Sequence, residues 1–160
     1  MSQYGGFWVR VLAYIIDTII VNIGVSIVSF AVGLGLGSQL RMGLAGPDTA
    51  GMVSALTGGV LGLVGSWLYF ALFESSSDQA TLGKMALGLA VTDEAGNRIG
   101  FGRATGRYFA KILSSAILLI GFMMVGWTQR KQGLHDMIAG TLVHKSRNPQ
   151  EIGVNVEAFR

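Results

Sequence analysis

Few side chains in this sequence can do acid–base or ionic chemistry, and several of them stand in apolar surroundings. Arg10 and Asp17 lie within GFWVRVLAYIIDTIIV, residues 6–21. Seven residues apart, they share one helix face, about 10 Å apart along the axis. Helical side chains lean toward the N-terminus, so Arg10 points away from Asp17 and can snorkel to lipid headgroups. Asp17 is too short to snorkel, and at helix centre it would cost about 2.5–3.5 kcal/mol to insert. It must be protonated, paired or facing water. Arg107 and Lys111, four apart on one face of a later segment, are its candidate partners. Asp17 with Arg107 is the preferred pair.

His135 and Asp136 invite a catalytic reading, but neighbours on a helix point about 100° apart. No serine or cysteine nucleophile motif accompanies them. Asp136 is expected to cap a short helix through its carboxylate or to pair with Arg10. His135 is expected to be solvated at an interface, where an ordinary pKa of about 6.5 would also let it sense pH. Thr81–Lys84, TLGK, is similar to half of a phosphate-binding loop. The first glycine is absent, and Met85 stands where Ser or Thr would bind magnesium. Thr81 and Lys84 are therefore expected to meet lipid phosphate, or Lys84 to satisfy helix carbonyls. No HExxH, CxxC or GxSxG is present, so no enzyme, metal or cofactor is expected.

The elements that must position these groups are apolar. The chain has 160 residues, 51% hydrophobic and 13% charged, with a mean hydropathy of +0.52. Soluble domains carry about 25% charged residues, so the composition indicates an integral membrane protein. The net charge of +3 is read as topology-setting loop residues, not a nucleic-acid surface. There is no cysteine, which excludes disulfides and thiol chemistry.

Segment one runs from about residue 7 to 36 and is read as retained, not as a cleaved signal. Segment two runs from about 52 to 73. Within it Ser54, Gly58, Gly62 and Ser66 recur every four residues, a small-residue ridge for packing another helix. Trp67, Tyr69, Phe70 and Phe73 mark its exit, with Glu74 already outside. Residues 81–89 suggest a short interfacial helix, and 89–101 a β-hairpin turning through Asp93–Asn97. Segment three starts near Arg103 and is apolar from 112 to 127. Residues 141–144 are a candidate strand, and residues 146–160 a polar, mobile tail. The expected architecture is an all-α membrane protein. It has two full transmembrane helices, a third broken or re-entrant apolar segment, and a small cytoplasmic β-hairpin. Residues 7–145 form its single domain.

Basic residues address the topology. If segment three crosses once, five (Arg10, Lys84, Arg98, Arg103, Arg107) face six (Arg41, Arg130, Lys131, Lys145, Arg147, Arg160), which sets no orientation. If it enters and returns, broken near Gly121, only Arg41 lies outside, and the positive-inside rule favours that arrangement with both termini cytoplasmic.

FWVRVLAYIID, QATLGKMALGLAVTDEAGNRIGFGRATGRYFAK (residues 79–111) and RKQGLHDMIAGTLV (residues 130–143) resemble the opening, middle and closing blocks of the RDD family. The resemblance implies that Arg10, Asp17 and Asp136 are the arginine and two aspartates of its name. It also implies a prokaryotic, multi-pass inner-membrane protein, and it suggests transport of an unidentified ion or small solute through an intramembrane Arg/Asp network. The alternative is a structural or accessory protein whose Arg–Asp pairs fix helix packing and whose hairpin docks a partner. The expected partners are the lipid bilayer and a second copy or another membrane protein, with no nucleic acid.

Overall fold

The computed structural model describes residues 4–39, 47–116 and 123–146. The elements in chain order are α1 (Phe7–Gln39), α2 (Pro47–Glu74), α3 (Leu82–Ala86), β1 (Ala90–Asp93) and α4 (Phe101–Ala116). A 3-10 turn (Met124–Gly126), α5 (Leu134–Ala139) and β2 (Thr141–His144) complete the order. The fold is mostly helical with one small sheet. Residues 117–122, where the expected break at Gly121 falls, and the tail beyond 146 lie outside the described residues.

Two helices are long and apolar enough to cross a membrane, Phe7–Gly33 and Gly51–Glu74. Only 11% of the most apolar window of each is buried. A core helix of a soluble protein would hide most of that surface; these expose it, as lipid-facing helices do.

The chain divides into two units. The smaller, residues 18–68, holds most of both candidate spans. Ile19, Ile23, Ile27 and Phe30 of α1, and Leu56, Val60 and Leu63 of α2, are exposed. A Cβ added at Gly65 would meet Val25 Cγ2 at 3.3 Å, so the two helices approach closely there. At Gly58 and Gly62 an added Cβ meets nothing within 4 Å. These two glycines of the expected ridge therefore have open space beside them. The position that needs a small residue lies outside its four-residue repeat.

The larger unit comprises residues 1–17 and 69–160. In it β1 and β2 pair antiparallel, with Val91 opposite Val143 and Thr92 opposite Leu142. Tyr4 bridges to His144, and the Gly5 N–H donates to Val143 O at 2.9 Å. Leu89, Val91, Ile99 and Val143 are buried around the sheet. The expected 89–101 hairpin does not form. The Asp93 carboxylate accepts the N–H groups of Ala95 (3.0 Å) and Asn97 (2.7 Å), an Asx-type turn with Gly96 at φ +79°. Arg98 Nε then donates to Ser75 O at 2.9 Å, and the chain enters α4 instead of returning as a strand. The partner of β1 comes from residues 141–144.

The polarity of α4 is inverted. Ala104, Arg107, Ala110 and Ser114 are buried, whereas Phe109, Ile112 and Leu113 are exposed. A water-facing helix shows the opposite arrangement.

Candidate functional site

Asp17 is fully buried and held by three neutral donors. Thr81 Oγ1 donates at 2.5 Å, the Gly83 N–H at 2.7 Å and Tyr69 Oη at 2.7 Å. The Leu82 N–H in turn donates to Tyr69 Oη at 3.1 Å. Local sequence builds this clasp. Thr81 is extended (φ −70°, ψ 164°) just before α3, so its hydroxyl and the first free N–H groups of the helix converge, the usual cradle for an anion. Gly83 permits the approach: a Cβ there would stand 2.3 Å from Ala13 O and 2.9 Å from Asp17 Oδ1. TLGK thus does hold an oxyanion, but the oxyanion is the chain's own Asp17. This corrects the expected Asp17–Arg107 pair and the assignment of Thr81 to lipid phosphate.

A second cluster collects the other charges. Arg10 does not snorkel. Its Nη1 donates to Asp136 Oδ2 at 2.5 Å, Nη2 to Lys131 O at 2.5 Å and Nε to Gly5 O at 2.8 Å. Lys131 adopts φ +52°, a left-handed conformation uncommon outside glycine, where its carbonyl receives Arg10. Arg107 is buried with Nη2 2.7 Å from Asp136 Oδ1 and Nη1 3.6 Å from Glu74 Oε2. Glu74, buried at the end of α2, also pairs with Lys84, and with Lys111 at 3.2 Å. Lys111 Nζ stands 4.3 Å over the Phe70 ring, a cation–π contact. Lys84 is therefore buried against Glu74 and does not face lipid phosphate.

Asp136 both pairs and caps. Its Oδ2 accepts the Gly133 N–H at 3.1 Å, reaching back from the first turn of α5. With glycine at the cap, only this half of a capping box exists. Gly140, at φ +58°, closes α5. His135 is buried, with Nε2 3.3 Å from Asp136 Oδ1, which corrects the expectation of a solvated imidazole. Burial lowers its pKa to about 3, against the opposing pull of Asp136. Burial alone would raise the Asp136 carboxyl, but Arg107, His135, Arg10 and the Gly133 N–H hold it well below the ordinary carboxylate range. Burial likewise lowers the Lys84 ammonium to about 7 despite Glu74.

Of the sequence-predicted residues, Arg10, Arg107, Asp136, His135, Lys84 and Lys111 come together, while Asp17 and Thr81 form the separate clasp. Ser54, Gly58, Gly62 and Ser66 belong to the other unit. Sequence reasoning missed Glu74 and Tyr69 as partners, because both look like exit markers of segment two. The available signal was Lys84, a basic residue ten positions after Glu74. No group of three or more His, Asp or Glu side chains able to hold a metal occurs among the described residues. The arrangement is one of linked ion pairs, suited to fixing the ends of α1 and α2 against α3, α4 and α5.

The RDD family matches residues 4–140. The chain is 39% identical to "Uncharacterized protein YxaI" of Bacillus subtilis over 89% of this chain and 98% of that one. It is 33% identical to "Uncharacterized membrane protein YteJ" of the same organism, over 88% and 80% respectively. It is also 28% identical to "Proline-rich antigen" of Mycobacterium leprae, over 85% of this chain and 59% of that protein. No solved structure matches.

Proposed function

This chain belongs to the RDD family and is a membrane protein with two candidate spans, and on that premise we propose that it serves as a structural or accessory module of the prokaryotic inner membrane. The observation that carries this reading is the saturation of all three signature charges by the chain itself. Arg10 and Asp136 bond each other, and Asp17 is closed in by Thr81, Gly83 and Tyr69. A buried carboxylate with three donors at 2.5–2.7 Å has little left to offer a passing cation. What the charges do instead is fix register. The exposed turn at Glu94 and the exposed Arg130 (their carboxylate and guanidinium 4.0 Å apart) form the polar face offered to a soluble partner. The open ridge at Gly58 and Gly62 is the face offered to a second copy.

The third apolar segment enters lipid near Phe109 and returns to the side it left. Two observations support this. The sheet pairs strands that precede and follow the segment, and Arg107 meets Asp136 across it. Strands on opposite faces of a bilayer about 30 Å thick could not pair. The exposed Phe109, Ile112 and Leu113 suit lipid. Only Arg41 then lies on the far side, so the near side, with the N-terminus, is cytoplasmic. Ser146→Cys in oriented membranes tests the topology: labelling from the cytoplasmic side is expected, and labelling only from outside overturns it.

Transport is the second reading. Glu74 favours it, as a buried ionisable group at the end of a candidate span. Proteoliposome flux of protons and sodium separates the two. Wild-type flux no greater than that of empty liposomes supports the structural role. Flux that Glu74→Gln abolishes replaces it with transport.

A further inference from the structure

We propose that the charged cluster is also a binding site for a phosphate-class oxyanion, received by Arg107 and Lys111 of α4. Among the described residues, four cations (Arg10, Lys84, Arg107 and Lys111) gather around two carboxylates, Glu74 and Asp136. Asp17 does not restore the balance, because its donors are Tyr69, Thr81 and the Gly83 N–H. With Lys84 neutral the cations still outnumber the anions.

Arg107 concentrates the imbalance. It is 2% exposed, and its Nε and Nη1 make no hydrogen bond among the described residues. Glu74 Oε2 is 3.6 Å from Nη1, beyond hydrogen-bond reach, and the other oxygen of that carboxylate, Oε1, is held by Lys84 and Lys111. A buried lysine can relieve excess charge by releasing its proton, but a guanidinium cannot. Arg107 therefore calls for a counter-anion with acceptors to spare.

Lys111 is a partly exposed edge of the cluster. It lies one helical turn after Arg107, and its side chain is 13% exposed. Its outward neighbours on α4, Ile112 and Leu113, are apolar, which sets this lip where headgroups meet acyl chains. A guanidinium beside an ammonium matches a tetrahedral, multi-oxygen anion better than a halide. The phosphate can come from an acidic phospholipid headgroup or from solution, and the site chemistry is the same.

The test is thermal unfolding of the full chain in nanodiscs, read by tryptophan fluorescence. One arm adds inorganic phosphate to phosphatidylcholine discs, against chloride at matched ionic strength. The other compares phosphatidylglycerol-containing discs with pure phosphatidylcholine. The midpoint is expected to rise in at least one arm. A rise in the lipid arm alone identifies the headgroup, a rise in the phosphate arm alone the free anion, and a rise in both supports the shared site. Lys111→Gln is expected to weaken the apparent Kd by about tenfold or more, with Lys111→Arg retaining it. Arg103→Gln, an exposed cation on the same helix held by Asp93, should respond like the wild type. No shift in either arm, or a full response from Lys111→Gln, overturns the proposal. If Lys111→Gln does not accumulate, native mass spectrometry of the wild type decides. One phosphate or acidic lipid retained per chain supports the site, and bare chain alone overturns it.

Discussion

Gly83→Ala offers a sharp test of the Asp17 clasp, because alanine is the smallest change that occupies the space Asp17 and α3 share. The added Cβ would stand 2.3 Å from Ala13 O and 2.9 Å from both Asp17 Cγ and Oδ1. Both Ala13 and Asp17 are fully buried in α1, and Ala13 presents backbone, so the obstruction cannot swing aside like a flexible side chain. α3 must retreat by about 1 Å for that Cβ to reach the 3.4 Å at which ordinary contact begins. A retreat of that size stretches the Gly83 N–H bond to Asp17 from 2.7 Å and the Thr81 Oγ1 bond from 2.5 Å. Hydrogen bonds to charged groups are worth about 1.5–3 kcal/mol each, and overpacking adds about 1–3 kcal/mol. The better helix propensity of alanine returns at most about 1 kcal/mol. A net destabilisation of about 2–4 kcal/mol is therefore expected, in denaturant or thermal unfolding of the detergent-solubilised protein. Gly102→Ala is the control: it sits in the exposed first turn of α4 with nothing within 4 Å, and it should be neutral or slightly stabilising. A Gly83→Ala protein as stable as Gly102→Ala would refute the clasp.

The same geometry carries three further expectations. Asp136→Asn leaves Arg10 and Arg107 buried beside a neutral amide and should cost about 3–5 kcal/mol, the range for breaking a buried pair from one side; it is read as lost unfolding free energy and lower abundance. Tyr69→Phe removes one of three donors to Asp17 and the acceptor for the Leu82 N–H. The loss should be about 1–3 kcal/mol, and a variant as stable as the wild type would show that Thr81 and Gly83 suffice. The unfolding midpoint should depend on pH below neutrality. His135 has a folded pKa of about 3 against an ordinary 6.5, so its contribution is present above about pH 6.5 and is lost as pH falls toward 3. Asp136, also depressed, adds a further loss below about pH 4. His135→Gln should flatten the higher part of this profile and leave the lower part, and an unchanged profile would contradict the burial of the imidazole.

The positions of the apolar spans, the short helices and the strand at 141–144 were legible because each is a local pattern. A long apolar run, a glycine after a helix, or alternation over four residues carries its own signature within one window. The need of Asp17 for a proton, a partner or water was legible too, since an ionised group in an apolar segment cannot be left bare, whereas Arg10 was read as able to snorkel. Asp136 was read as either a cap or the partner of Arg10, and in the structure it is both. The hairpin at 89–101 was not legible. Its turn residues are real, but the path of the chain after a turn depends on where the next element docks. Asp93 turns the chain, and Arg98 and α4 decide that it does not return.

Charge pairing was the part that sequence left undetermined. Arg107 and Asp17 have the right signs, and nothing in their spacing distinguishes that pair from Arg107 with Asp136 and Glu74. Coulomb attraction depends on distance in space, and distance between residues far apart in sequence is set by packing. By itself the sequence determined that this chain places two apolar helices in a membrane and carries ionisable groups there that must be neutralised. Only the tertiary structure decided which group neutralises which. Gly83 lets α3 reach α1 closely enough for neutral donors to satisfy Asp17, and Arg107 is thereby released to a cluster that holds more cations than carboxylates.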